Sequence, residues 1–169
     1  MNLASTKQLN ILVVEDDLID RKGMQRLLSG SSLPLGDVVF VGRLAQATAA
    51  LTEGRFDLLL LDLNLPDSAG LDTLIALENS HPDVAKVVVT GEGDGDLGVE
   101  AVAHGAQDYL IKGRFNIHAI ARVVHYSVER KRLEEALRES RGKLNAMLEC
   151  ISDPMIMIDK ELNVIWSNE

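Results

Sequence analysis

At the ends of four short apolar runs, this sequence places side chains that phosphoryl transfer to a carboxylate would need. Glu15, Asp16 and Asp17 follow Ile11–Val14, and Asp62 follows the four leucines Leu58–Leu61. Thr90 follows Val87–Val89, and Lys112 follows Tyr109–Ile111. A carboxylate held at the end of a buried strand can attack phosphorus and form an acyl phosphate, and Asp62 is the candidate nucleophile. Glu15 and Asp16 would add two more carboxylates to the same cleft, where three like charges repel unless a divalent cation neutralises them. A hard, oxygen-loving ion such as Mg²⁺, which keeps several waters and needs few protein ligands, suits that set. Such an ion would also offset charge on incoming phosphoryl oxygens. Lys112 supplies a further positive charge, and the Thr90 hydroxyl can donate a hydrogen bond. In-line transfer depends mostly on positioning and electrostatics, and these groups provide both.

The elements that must position these groups are legible from hydrophobic pattern. Leu9–Val14, Val38–Val41, Phe56–Leu61, Val84–Val89 and Asp108–Ile111 read as strands buried on both faces. Segments with helical spacing lie between them, as in Leu44, Ala47 and Leu51, or Leu71, Leu74 and Ile75. Gly30, Pro34, Gly54, Pro66, Gly70, Pro82, Gly91 and Gly105 punctuate the joints. Strands alternating with helices predict an α/β fold: a five-stranded parallel sheet, doubly wound, with helices on both faces. In such sheets ligands sit beyond the carboxyl ends of the strands, which is where the chemical groups fall.

A blander reading applies to each group alone. Glu15–Asp17 could be no more than a helix N-cap with favourable dipole placement, and a lone Asp62 or Lys112 would mean little. Their coincidence at the ends of strands one, three, four and five favours a site. Gly93-Asp-Gly-Asp-Leu-Gly98 matches the dinucleotide fingerprint G-x-G-x-x-G. However, Glu92, Asp94 and Asp96 would set carboxylates against a pyrophosphate, and the fingerprint belongs to the first strand–helix turn rather than the fourth. A nucleotide-binding enzyme is therefore disfavoured. The histidines His81, His104, His118 and His125 show no metal-ligand spacing.

Ile11-Leu-Val-Val-Glu-Asp-Asp17, Asp57-Leu-Leu-Leu-Leu-Asp-Leu-Asn-Leu-Pro66 with Gly70, Val87-Val-Val-Thr90 and Asp108-Tyr-Leu-Ile-Lys112 together resemble the response-regulator receiver family of two-component signalling. The resemblance covers residues 9–128 and implies a flavodoxin-like receiver fold. It implies that Asp62 is the phosphoacceptor, with Thr90 and Lys112 as its catalytic companions. Glu15, Asp16, Asp62 and the Asn64 backbone carbonyl would hold Mg²⁺, and Thr90 and Tyr109 would form the switch pair. A sensor histidine kinase or phosphotransfer protein is the implied donor. One departure is clear: the family usually has proline after the lysine, often across a cis peptide, and Gly113 stands there instead. A cis bond to glycine would cost about 2.5–4 kcal/mol, which predicts a different path for this loop.

Charge changes along the chain. Residues 1–113 hold 17 acids and 8 bases, residues 114–143 hold 4 and 8, and residues 144–169 return to a balance of −4. From Asn116 to about Ile151 there is no proline, and Leu133, Leu137, Ser140, Leu144, Met147 and Ile151 follow heptad spacing. This predicts one long helix, some 50 Å at about 1.5 Å per residue, whose seam would pair in a homodimer. Glu129, Glu134, Glu135 and Glu139 among the bases favour a solvated coiled-coil face over nucleic acid. Met155–Ile158 and Val164–Trp166 read as two strands around a turn. With the preceding Leu144–Asp159 they resemble the start of a PAS sensory domain, broken off early. The expected division is a receiver at 1–128, a helical linker at 129–151 and a PAS-like start at 152–169. No run approaches the ~18 apolar residues of a membrane span, no signal peptide is apparent, and lone Cys150 excludes an internal disulfide. A cytoplasmic protein is expected; this chain alone would have no activity beyond its own phosphorylation and dephosphorylation, while a full-length parent could be a kinase or a cyclic-dinucleotide enzyme. The rival expectation is a pseudo-receiver that only docks or dimerises.

Overall fold

The computed structural model describes residues 7–91, 93–149 and 156–167. In chain order its first elements are β1 (Leu9–Val14), α1 (Leu18–Ser29), β2 (Leu35–Val41), α2 (Leu44–Glu53) and β3 (Leu58–Asp62). A short hairpin follows, β4 (Asn64–Leu65) and β5 (Ser68–Ala69), then α3 (Leu71–Ser80), β6 (Ala85–Thr90), α4 (Gly95–Ala103), β7 (Asp108–Ile111) and α5 (Ile117–Glu149). Last come β8 (Ile156–Ile158) and β9 (Val164–Ser167). Five strands form one parallel sheet in the order β2-β1-β3-β6-β7. The predicted doubly wound α/β architecture is therefore the observed one.

The side-chain period of two divides the core into two layers. Ile11, Val13, Leu58, Leu60, Val87 and Val89 face one layer with Met24 and Leu28 of α1 and Ile120 and Val124 of α5. Leu12, Val14, Leu59, Leu61 and Val88 face the other with Ala47 and Leu51 of α2, Leu74 and Leu77 of α3, and Ala101 of α4. All four leucines of β3 are fully enclosed. That central strand cannot slip by one residue without exchanging its two packed faces, so Asp62 at its end is held in register with Val89 of β6.

Capping completes the joints. Asp17 accepts hydrogen bonds from the Ile19 and Asp20 backbone N–H groups at 2.7 and 3.0 Å, closing the start of α1. Asp67, in the β4–β5 turn, accepts from Leu44 N–H at 2.9 Å and Ala45 N–H at 3.1 Å. It thus caps α2 from 22 and 23 residues away and ties the turn after Asp62 to a neighbouring helix. After β7 the chain turns at Gly113, whose φ of +75° lies in the left-handed region. Among the described residues no peptide bond is cis.

The chain divides into two compact units, Met1–Lys131 and Arg132–Glu169. Within the first, Ile120, Val123, Val124, Ser127 and Val128 bury one face of α5. Within the second, Leu133, Leu137, Leu144 and Met147 are exposed; Ile151, the last member of the heptad pattern, lies outside the described residues, as does Met155. β8 and β9 pair antiparallel. Their turn is held by the Asp159 carboxylate, which accepts from the N–H groups of Glu161 and Asn163 and from Asn163 Nδ2 at 2.8–2.9 Å.

One buried cation lies at the opposite end of the sheet from Asp62. Lys86 is 0% exposed, and its Nζ donates to the carbonyls of His81 and Val84 and lies 2.7 Å from Glu78 Oε2. Burial pushes its pKa below the ordinary lysine value, and Glu78 partly restores it. Removing Glu78 leaves that charge uncompensated, so Glu78→Ala should cost about 3 kcal/mol in urea denaturation. Lys86→Met should cost less, because Glu78 keeps solvent contact and has Lys131 Nζ 3.9 Å away. The unfolded chain holds the Lys86 proton more tightly than the folded one. Stability of Glu78→Ala should therefore rise with pH from the lowered folded value toward 10.5.

Candidate functional site

The carboxyl ends of β1, β3, β6 and β7 form one edge, and every polar group singled out from the sequence at a strand end lies on it. Glu15 leaves β1 with its backbone N–H bonded to Val41 at 2.9 Å, which turns its side chain into the cleft. Glu15 and Asp62 are buried while Asp16 is exposed, and one carboxylate oxygen from each lies within 4.8 Å of the others. At that spacing the buried pair Glu15 and Asp62 repels by roughly 3 kcal/mol, taking an effective dielectric of about 20, while water screens the exposed Asp16. Asp17, the third acid of the run, is spent on capping α1 instead. Its two backbone hydrogen bonds, from Asp20 and Ile19, hold its carboxyl below the ordinary aspartate range. The N-cap reading thus holds for Asp17 and not for its two neighbours.

Lys112 supplies the local countercharge. Its Nζ lies 2.6 Å from Asp62 Oδ2, 2.7 Å from Glu15 Oε2 and 2.8 Å from Asp20 Oδ2, so three carboxylates share one ammonium. Burial works against its charge. The bonds to Asp20, Asp62 and Glu15 together outweigh that and raise its pKa, so Lys112 stays protonated at every physiological pH. Burial raises the Glu15 pKa, its bond to Lys112 lowers it, and the Asp62 charge raises it again, leaving it above the ordinary glutamate value. One lysine does not balance the acids gathered here. The donor set, all hard oxygens, fits a small divalent cation held largely by water.

The remaining groups are placed as follows. Asp62 Oδ1 accepts from the Asn64 N–H at 2.9 Å, so the start of the β4–β5 hairpin fixes the orientation of the carboxylate. Thr90 is 2% exposed, and its Oγ1 has no hydrogen-bond partner among the described residues. Buried hydroxyls are normally bonded, and one left unpaired costs about 1–3 kcal/mol. Tyr109 on β7 is partly buried against the layer that contains Leu97 and Ala101 of α4. Asp20 was missed in the sequence, although it stands in the first turn of α1, just past the acidic run, and bonds Lys112. Asp67 was missed too, because no local pattern signals a cap delivered from a distant turn. His125 lies on the exposed face of α5.

The response regulator receiver domain profile matches residues 11–124, a span that takes in every one of these site residues. The chain belongs to the response regulator receiver family. It is 49% identical over 80 residues to the luminescence regulatory protein LuxO of Vibrio campbellii, an alignment that takes in 47% of this chain and 18% of that one. It is 38% identical over 104 residues to the swarming motility regulation protein RssB of Serratia marcescens, covering 62% of this chain and 46% of that one. The signal receiver domain of a putative LuxO repressor protein from Vibrio parahaemolyticus superposes with a TM-score of 0.66 at 25% identity, covering 78% of this chain and 98% of that one. The alignments to the LuxO proteins span about a fifth of their length. Receivers generally bind Mg²⁺ at an acidic cluster, and Glu15, Asp16 and Asp62 are such a cluster here. Receivers also exchange signals with histidine kinases or phosphotransfer proteins. Among the described residues no helix is long and apolar enough to cross a membrane.

An unpartnered hydroxyl inside a packed receiver is a stability cost that a methyl group would not incur. Thr90→Val should therefore raise the unfolding free energy by about 1 kcal/mol in urea denaturation, while weakening Mg²⁺-dependent binding of beryllium fluoride.

Proposed function

We propose that this receiver takes a phosphoryl group on Asp62 from a sensor histidine kinase or phosphotransfer protein and passes the change to a downstream output. The observation that carries this is the buried Asp62 carboxylate sharing a cleft with Glu15 and Asp16 while bonded to Lys112. Glu15, Asp16, Asp62 and the Asn64 carbonyl are the residues that would hold Mg²⁺. When bound, that ion supplies charge neutralisation for the carboxylates and the phosphoryl oxygens.

The chain's own residues do the rest. Hydrogen bonding from Asn64 to Oδ1 and from Lys112 to Oδ2 fixes the Asp62 carboxylate for in-line attack. An Asp62 oxygen forms the new bond to phosphorus as the phosphorus–nitrogen bond of a donor phosphohistidine breaks and its imidazole leaves. Phosphorylation shifts the negative charge from the Asp62 carboxylate to the phosphoryl oxygens, and Lys112 then bonds one of those in its place. The Thr90 hydroxyl, without a partner in the free protein, donates to another. Loss of the phosphoryl group to water, through the same groups, resets the site; no other enzymatic activity is assigned to this chain.

Movement of Thr90 toward the phosphoryl group shifts Tyr109 and with it the surface of α4, β7 and α5. The exposed apolar seam of Leu133, Leu137, Leu144 and Met147 supports a homodimer through α5, continuing toward a PAS-like domain that begins near residue 152. A cytoplasmic setting follows from the donor. The deciding experiment is intact-mass spectrometry after incubation with acetyl phosphate, with and without Mg²⁺, beside Asp62→Asn. One added phosphoryl group that requires both Mg²⁺ and Asp62 is expected. No adduct, together with no thermal shift on adding beryllium fluoride, would favour a phosphorylation-independent docking module.

A further inference from the structure

The glycine-rich run after β6 plays no part in the acid cluster, yet one of its glycines is needed by the fold. α4 begins at Gly95, and its N-cap residue, Asp94, makes no side-chain capping bond. Two glycines within a nine-residue helix weaken it further, since each is a poor helix former relative to alanine. At Gly93 and Gly95 this composition is not imposed by space, because a Cβ at either position would meet nothing within 4 Å.

Gly98 is different. A Cβ there would press on the Tyr109 ring, at Cδ2 most closely and then at 2.7 Å from Cγ and 2.9 Å from Cε2. No flexible chain end lies in the way; the obstacle is the root of a rigid ring. To admit a methyl group, either the ring must rotate off its seat or α4 must lift from β7. Gly98 is itself buried, and Tyr109 is partly buried against the same layer as Leu97, the residue before it. With no side chain between ring and helix backbone, the ring's position and the placement of α4 are a single mechanical variable.

We propose that Gly98 is a positioning residue that seats the Tyr109 ring directly on α4, so that rotation of the ring and displacement of this weak helix occur together. This rests on the receiver reading of Tyr109 as the switch aromatic, and it gives the glycine run a mechanical use in place of nucleotide binding. Gly95 provides the internal control, because Gly95→Ala strengthens the helix by the same backbone effect without touching the ring.

The test is a double-mutant cycle in the full chain, Gly98→Ala with Tyr109→Ala, beside Gly95→Ala. Each protein is followed by urea unfolding and by Mg²⁺-dependent beryllium fluoride binding, read as a thermal shift. Gly95→Ala should raise the unfolding midpoint. Gly98→Ala should lower it and change the apparent beryllium fluoride affinity threefold or more relative to Gly95→Ala. In the Tyr109→Ala background, Gly98→Ala should raise the midpoint as Gly95→Ala does and leave the affinity unchanged. If Gly98→Ala matches Gly95→Ala while Tyr109 is present, or if its effects persist without the ring, the proposal is overturned. A flat beryllium fluoride response in every protein, wild type included, refutes the phosphoryl reading and the coupling to it, and the unfolding cycle still decides the seat.

Discussion

A single ammonium group facing three carboxylates is the constraint around which this receiver is organised. Lys112 bonds Asp62, Glu15 and Asp20 at 2.6–2.8 Å, and Asp16 stands within carboxylate contact of two of them. Water alone would screen such a cluster if it were open, but Glu15 and Asp62 are buried, so the repulsion must be met by fixed positive charge. Lys112 meets part of it. The remainder is what suits the site to a doubly charged cation. Phosphorylation of Asp62 would replace the carboxylate charge by that of the phosphoryl oxygens, so an acceptor in so acidic a place needs this same positive charge all the more.

Holding these groups together is the task of the sheet. The two-sided burial of β3 fixes where Asp62 emerges, and the β4–β5 turn fixes how it points. Asp67 then ties that turn to the start of α2, so the acceptor loop is anchored to a helix rather than left free. Thr90 represents the opposite choice: its hydroxyl is kept in a packed strand end without a partner, at a cost in stability. A group that costs stability in one state and bonds in another is what a two-state switch requires.

Much of this was legible in the sequence because the parts follow strong local rules. Runs such as Leu9–Val14 and Asp108–Ile111 are bounded by polar or breaking residues, and their observed limits match. The third and fourth strands lie within two residues of their expected limits, ending on Asp62 and Thr90 themselves. β2 begins at Leu35, before the expected Val38, because Gly36 and Asp37 separate Leu35 from the apolar run. Gly36 and Asp37 are drawn into the strand by the Asn10 side chain of β1, which accepts from the Asp37 N–H at 2.9 Å and lies where a Cβ on Gly36 would stand. Two-residue strands such as β4 and β5 have no periodicity to read. Asp20, Asp67 and Gly98 were not legible for a related reason: each acts across a tertiary contact, on Lys112, α2 and Tyr109 respectively.

The claim at the centre is that Lys112 and a divalent cation share the neutralisation of one carboxylate cluster. A Mg²⁺ titration of wild type and Lys112→Met, followed by backbone-amide NMR at constant ionic strength, tests it directly. Wild type should bind one ion per chain, with shifts centred on Asp16, Asp62 and Asn64. Lys112→Met, freed of a like charge beside the ion, should bind roughly fivefold or more tightly. Equal or weaker binding by Lys112→Met, or shifts that do not saturate in wild type, would contradict the account.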